Sequence, residues 1–280
     1  MSPDQSIGPY GGQLAEAWFS PALVAALSDL PRLMVSEEAR VLQDLRNRSV
    51  CVPLPGPGDV RISVVVKSFG RPSRKTSLRY RQEGSKARRS WQVARILEAQ
   101  GAGTPRPVGF LERWEGLELV ESYFLTEWAG DASSMRDELR AAGNETIPSE
   151  RTTALVTAVA KAVRKMHDAG LQHNDLGQVN ILLRKTEANG TEALFIDLNR
   201  ARHFKVLSLR RRAKDLSRLH LSFQLRQCFE KSYFHDRAIP ARFRFFGFLY
   251  RLSFAVWRAS RNLRHPLRAR RRRLREQAQQ

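Results

Sequence analysis

Two carboxylates, a carboxamide, an imidazole and an ammonium group stand out for their types and their spacing. In His173-Asn174-Asp175-Leu176-Gly177-Gln178-Val179-Asn180, an imidazole precedes a carboxylate by two residues and a carboxamide follows it by five. Asp197 comes seventeen residues beyond Asn180, in Phe195-Ile196-Asp197-Leu198-Asn199, and far upstream Lys67 closes the apolar run Val64-Val65-Val66. Phosphoryl transfer asks little covalent chemistry of a protein. It needs a carboxylate to orient a hydroxyl, oxygen ligands for Mg²⁺ and a cation on the phosphates, all in fixed geometry. This set contains all three. Each piece alone has a plainer reading: His-x-Asp as a surface turn, Asp197 at an ordinary strand end, Lys67 snorkelling from an apolar strand. The weight rests on their joint occurrence in one order.

The elements around them read as strands first and helices afterwards. Val41 to Leu45, Val50 to Leu54 and Val60 to Phe69 are strand-like and separated by turn residues, the second turn being Pro55-Gly56-Pro57-Gly58-Asp59. Residues Ser77 to Gln100 predict one helix stopped by Gly101, and two further strands follow, Val108 to Leu111 and Ser122 to Thr126. Pro148 and Ser149 start a long helix in which Leu155, Val159, Val163 and Met166 recur at helical spacing, and Gly170 ends it. That helix delivers the chain to His173. Two short apolar runs, Ile181 to Leu183 and Ala193 to Ile196, then predict a hairpin leading to Asp197, and helices fill most of the remainder.

The loop resembles the kinase catalytic loop H-x-D-L-x-x-x-N, Asp197 resembles the metal-binding Asp at the DFG position, and Val64 to Lys67 resembles the V-A-I-K strand. The resemblance implies that Asp175 orients the acceptor hydroxyl and that Asn180 and Asp197 hold Mg²⁺. It further implies that Lys67 neutralises the phosphates of ATP and that His173 braces the loop. Glu127 would fall at the hinge between two lobes, where backbone groups grip adenine, with its side chain solvated or close to the nucleotide. Further segments, SKARRSW at Ser85 to Trp91, GxxTPRPVGFLE at Gly101 to Glu112, SYFLTE, HNDLGQVNILL and FIDLNRAR, resemble the lipopolysaccharide kinases of the Kdo/WaaP group. That group transfers phosphate from ATP to Kdo or heptose of the lipopolysaccharide inner core, on the cytoplasmic side of the inner membrane.

Two departures from the kinase pattern carry expectations of their own. No G-x-G-x-x-G precedes Lys67, so Arg46, Arg48 or backbone amides would cover the phosphates. Ser90 stands where related sequences place the glutamate that pairs with the lysine, leaving Glu83 or Glu98 to substitute. Without either, a weakly active kinase or a pseudokinase is the alternative.

Charge sets the final quarter apart. Residues 203–280 hold 21 Lys or Arg against 4 Asp or Glu, whereas residues 1–202 hold 27 against 24. Such a segment attracts polyanions: an anionic membrane surface, a phosphorylated lipid such as the acceptor, or nucleic acid. Within it, Phe243 to Trp257 is rich in aromatic residues, and Arg244, Arg251 and Arg258 repeat every seven residues. This reads either as an interfacial helix with an apolar and a cationic side or as a core helix with solvated arginines. Asp215, in the preceding basic helix, reads equally as a buttress of the catalytic loop or as a cap or solvated residue.

The longest charge-free stretch near the start, Ala17 to Ser28, is too short to span a bilayer, and no basic n-region precedes it. The expected location is therefore the cytoplasm, peripheral on the inner membrane. Cys51 and Cys228 stand far apart without metal-ligand spacing. The expected architecture is α+β, a two-lobed protein-kinase-like fold with a small antiparallel-sheet N-lobe and a mainly helical C-lobe. Its divisions are a variable segment 1–35, an N-lobe 36–128, a C-lobe 129–262 and a basic tail 263–280. Kinases for soluble small molecules or for proteins share the same core geometry, and a polyanion-binding module shares the charge.

Overall fold

A computed structural model describes residues 5–44, 47–143, 147–186 and 190–256. The N-terminal half runs through β1 (Gln5–Ile7), β2 (Tyr10–Leu14), α1 (Pro21–Leu27), α2 (Leu30–Leu33), β3 (Arg40–Asp44), β4 (Asn47–Pro55) and β5 (Arg61–Phe69). Then come α3 (Arg74–Glu83), α4 (Lys86–Ala99), β6 (Pro107–Glu115) and β7 (Glu118–Glu127). Its strands form one seven-stranded sheet in the order β1-β2-β6-β7-β5-β4-β3, antiparallel throughout. Alternation explains the register: Val64 and Val66 of β5 are fully buried and belong to a core with Val50, Val52 and Leu125.

Two expectations change here. Residues 1–35 are not a separate lead-in, because β1 and β2 extend the sheet and β2 pairs with β6, Gly12 opposite Leu111. The strand reads YGGQL and lacks β-branched residues, which hid it from a propensity reading. Its glycine is dictated by close approach: a Cβ on Gly12 would stand 2.1 Å from the carbonyl oxygen of Phe110. The second change is that Ser77 to Gln100 is not one helix. The chain leaves α3 at Gly84, and Ser85 restarts it as α4 by accepting a hydrogen bond from Arg88 N at 3.1 Å.

The C-terminal half begins with β8 (Ser133–Ser134), α5 (Met135–Ala141) and α6 (Glu150–Asp168). It continues through β9 (Leu171–Gln172), β10 (Ile181–Lys185), β11 (Thr191–Phe195), β12 (Arg202–His203), α7 (Leu209–Leu216) and α8 (Phe223–Tyr233) to a last helix, α9, over 241–256. Ser149 caps α6, and its apolar stripe, Leu155, Val159, Val163 and Met166, is buried. Burial of each such side chain stabilises by about 1.5–3 kcal/mol. Gly170 ends the helix at φ +75°, with the Phe204 carbonyl oxygen 2.0 Å from where a Cβ would stand. β10 and β11 form the expected hairpin, Ile181 opposite Phe195. One core runs from Trp91, Ala94 and Leu97 of α4 into Val156, Val159 and Val163 of α6, so the two lobes share buried surface.

In α9, Phe243 and Gly247 are buried and Phe246 and Phe254 half-buried, while Phe245, Phe248, Leu249, Leu252 and Val256 are exposed. Neither expected reading of this helix is complete, since one aromatic side packs inward and a second apolar side faces out. Arg244 and Arg251 line a cavity of about 900 Å³ between α8 and α9, together with Arg226 and Glu230. Burial pushes the Glu230 carboxyl up, against the pull of these arginines. The Arg268 to Arg275 run and the proposed tail lie outside the described residues. Among the described residues, no helix is long and apolar enough to cross a membrane.

Candidate active site

The loop that carries Asp175 is held from beneath by Asp215 of α7. This carboxylate is buried and accepts from His173 N at 2.7 Å and Asn174 N at 2.8 Å. His167 Nε2 lies 3.3 Å away, and His167 Nδ1 lies 2.8 Å from the Tyr233 hydroxyl. Burial holds the His167 imidazole below its ordinary pKa, opposed by Asp215, so it serves as a neutral ring donating to the carboxylate. Arg212 donates to the Tyr233 hydroxyl at 3.2 Å and to Asp168 at 2.7 Å, completing a chain of polar groups from the surface to the loop. Of the readings open for Asp215, the geometry selects the buttress.

His173 is fully buried and its Nε2 lies 3.0 Å from the Ile196 carbonyl oxygen. It joins the loop to the segment before Asp197 and does not face the cleft. Asn180 Nδ2 donates to the Asp175 carbonyl at 2.8 Å, and Ile196 N donates to the Asn180 carbonyl at 3.0 Å. The loop is thus stitched to Asp197 by backbone and carboxamide bonds. Asn174 and Asp197 both adopt left-handed backbone conformations, φ 62° and 60°, which cost strain that the surrounding bonds must offset.

Across the lobes, Lys67 Nζ of β5 meets Asp197 Oδ1 at 2.8 Å, and Asn199 Nδ2 also donates to that oxygen. Burial pushes the Asp197 carboxyl up, but Lys67 outweighs it with help from His173 and Arg200, leaving it below the usual carboxylate range. The ammonium group sits 5.6 Å from the centre of the Phe69 ring. A second tie joins the lobes where Arg89 of α4 donates to the Asn199 carbonyl at 3.4 Å.

Several sequence candidates fall elsewhere. Glu83 lies on the surface at the end of α3, 56 % exposed, where Arg79 is its ion-pair partner. Glu98 faces Arg95 and Arg106. The split between α3 and α4 explains this: it sets Glu83 on a different helix from Ser90, whose hydroxyl bonds Lys86 O at 2.8 Å. Glu127 ends β7 at the hinge, but its side chain turns to Arg106 at 3.6 Å and its N–H donates to Arg106 O at 2.9 Å. Arg48 points to the Met34 carbonyl and Asp44, while Arg46 lies outside the described residues. The residues that sequence reasoning missed are Arg200 and Arg218. Arg200 Nη1 is 3.2 Å from Asp175 Oδ2 and Arg218 Nη1 is 3.1 Å from Asp175 Oδ1. Only the dense arginine content of residues 200–218 hinted at them.

A carboxylate at Asp197 and a carboxamide oxygen at Asn180 are hard oxygen donors of the kind Mg²⁺ takes alongside nucleotide phosphates. The donor set fits that ion. Among the described residues, no group of three or more His, Cys, Asp or Glu is arranged for a metal held by protein alone.

A small antiparallel sheet over a helical lobe, with a lysine on its strand facing an aspartate that follows a catalytic-type loop, defines a protein-kinase-like fold. The chain belongs to the lipopolysaccharide kinase (Kdo/WaaP) family, whose model matches residues 70–237. It is 31% identical over 139 residues to the lipopolysaccharide core heptose(I) kinase WaaP of Pseudomonas aeruginosa, covering 49% of this chain and 52% of that protein. It therefore spans about half the length of this curated relative. Among solved structures, WaaP in complex with acyl carrier protein superposes with a TM-score of 0.59 at 23% identity, over 89% of this chain and 98% of the other. The maize sucrose-induced receptor kinase 1 domain bound to AMP-PNP gives a TM-score of 0.40 at 16% identity, over 71% of this chain and 58% of the other.

Proposed function

We propose that this chain transfers the terminal phosphoryl group of ATP to a sugar hydroxyl of the lipopolysaccharide inner core, on Kdo or heptose, at the cytoplasmic face of the inner membrane. The observation that carries this reading is the convergence of Lys67 and Asp197 at 2.8 Å with a loop in which Asn180 is bonded to Asp175. In the reaction, Lys67 shifts its charge to the nucleotide phosphates as ATP enters, and Asp197 and Asn180 are the residues that would hold Mg²⁺. The bound ion supplies charge neutralisation for the phosphates. Asp175 orients the acceptor hydroxyl and receives its proton as the oxygen attacks the γ-phosphorus and ADP leaves. His173 keeps the loop in register and takes no proton.

The outward apolar stripe of α9, with the positive surplus of residues 203–280, supports a peripheral seat on anionic lipid. The direct test is transfer of labelled γ-phosphate from ATP to purified core acceptors by wild type and Asp175→Asn. Label on the sugar with wild type and its loss in the variant is the expected result; equal labelling by both removes the assignment. A second reading, a polyanion-binding pseudokinase, draws on the fact that neither Glu83 nor Glu98 pairs with Lys67. It predicts nucleic-acid binding with a steep salt slope and no Mg²⁺-dependent ATP binding.

A further inference from the structure

The loop His173 to Asn180 contains no Lys or Arg, so any cation beside Asp175 must come from elsewhere in the chain. Two do. Arg200 closes the short turn after Asp197, and Arg218 lies just beyond α7; each places one guanidinium nitrogen on a different oxygen of the Asp175 carboxylate. Their side chains are 62 % and 31 % exposed, against 29 % for Asp175, so the group opens to solvent.

Neither arginine is a loose surface cation. Asn174 Nδ2 donates to the Arg200 carbonyl at 3.1 Å, fixing the turn from which Arg200 projects. The Arg218 guanidinium lies 5.8 Å from the centre of the Phe254 ring of α9. Its segment is bound to the loop by Gln178 Nε2, which donates to Leu219 O at 2.8 Å and His220 O at 3.0 Å.

The charges do not balance. Three cations, Lys67, Arg200 and Arg218, stand over the two carboxylates Asp175 and Asp197, with Arg200 acting on both, so the cluster holds one positive charge in excess. Orienting a neutral hydroxyl requires Asp175 alone. A guanidinium has five N–H donors in a planar fork suited to carboxylate and phosphate, and Asp175 engages one nitrogen of each.

We propose that Arg200 and Arg218 recognise an anionic group, carboxylate or phosphate, carried by the acceptor beside its reacting hydroxyl, and so select an acidic sugar. This rests on the kinase reading of the site and deepens it. As the acceptor's anion shares the two guanidiniums, the Asp175 oxygens become available to the hydroxyl.

The test is calorimetric titration of the full chain, without ATP, with an inner-core oligosaccharide ending in Kdo and with the same oligosaccharide after reduction of its carboxyl groups to alcohols. A phosphorylated oligosaccharide of reduced carboxyls forms a third arm and separates phosphate from carboxylate recognition. Wild type is expected to bind an anionic form about 10- to 100-fold more tightly than the reduced, unphosphorylated one, the range for charge-assisted hydrogen bonds. Arg200→Gln/Arg218→Gln is expected to bring the forms within about threefold, with an unchanged melting temperature, and Arg218→Lys to keep part of the preference. Equal binding of all forms by wild type, or a preference that survives in the double variant, overturns the proposal. So does a double variant that loses only kcat for ATP while acceptor binding stands, which would assign the arginines to the transferred phosphoryl group. Charge-selective binding without any transfer from ATP would instead sink the kinase reading and leave the anion site intact.

Discussion

Lys67 and Asp197, 130 residues apart, meet at 2.8 Å and join the sheet lobe to the helical lobe directly. The helix beside them gives Lys67 no carboxylate, and Arg89 of that helix bonds the Asn199 carbonyl instead. Beside the buried core that α4 and α6 share, the lobes are tied at the site by this pair and by Arg89. Mg²⁺-ATP would exchange the direct ion pair for phosphate contacts without needing a glutamate to reposition the lysine.

Lys67→Met is expected to lower kcat by about 10²–10³-fold, the usual effect of removing one preorganised electrostatic contact. It also removes the ion-pair partner of Asp197, leaving the Asn199 carboxamide on that oxygen, and lowers stability by about 1–3 kcal/mol. Glu83→Gln, on the far surface of α3, is expected to keep kcat within about twofold, as surface changes usually do. Steady-state kinetics on both variants checks this; a Glu83 effect equal to that of Lys67 would mean the helix rearranges around the nucleotide.

Asp215→Asn replaces a carboxylate that accepts from two backbone amides and faces His167. One side of the carboxamide then presents N–H to N–H, and the expected loss is about 2–4 kcal/mol in urea denaturation. Transfer activity is expected to fall as well, because the loop bearing Asp175 loses its support. Unchanged stability would show that the loop is held by Asn180 and Ile196 alone.

The buried His167 has a pKa below its ordinary value, so in acid the unfolded chain binds a proton there more readily than the folded one. Stability contributed by this group is complete above about pH 6.5 and is lost as pH falls below it, by up to about 1.4 kcal/mol per pH unit. Around the ring lie Asp215, Tyr233, Arg212 and Asp168; Tyr233 is pushed up to about 12 and Asp168 lies below the usual carboxylate range, so neither titrates in that window. Melting temperatures between pH 5 and 7.5 are expected to fall more steeply in wild type than in His167→Gln. Parallel curves would assign the acid sensitivity elsewhere.

Phe248→Ser/Leu252→Ser acts on the outward stripe of α9, where both side chains are exposed. The expected result is about tenfold or more weaker co-sedimentation with anionic vesicles, from the lost apolar burial, with an unchanged melting temperature. Equal sedimentation would leave the seat on lipid to the positive charge alone, and raising the salt would then abolish it.

The strands from Val50 to Phe69, the long helix with its buried stripe and the hairpin ahead of Asp197 were legible, because each rests on a local period, cap or turn residue. So was the local cluster of chemistry-bearing residues from His173 to Asn180. The sheet strand in YGGQL was not, since its Gly12 answers to the Phe110 carbonyl and to no local propensity. The break at Gly84 decided that Glu83 and Lys67 do not meet, and spacing along one assumed helix pointed the wrong way. Tertiary structure alone brought Arg200 and Arg218 to the two oxygens of Asp175 and set Asp215 beneath the loop. An ion pair or buttress between distant residues is fixed by how helices and turns pack, and no periodicity in the chain records which of its many arginines will face a given carboxylate.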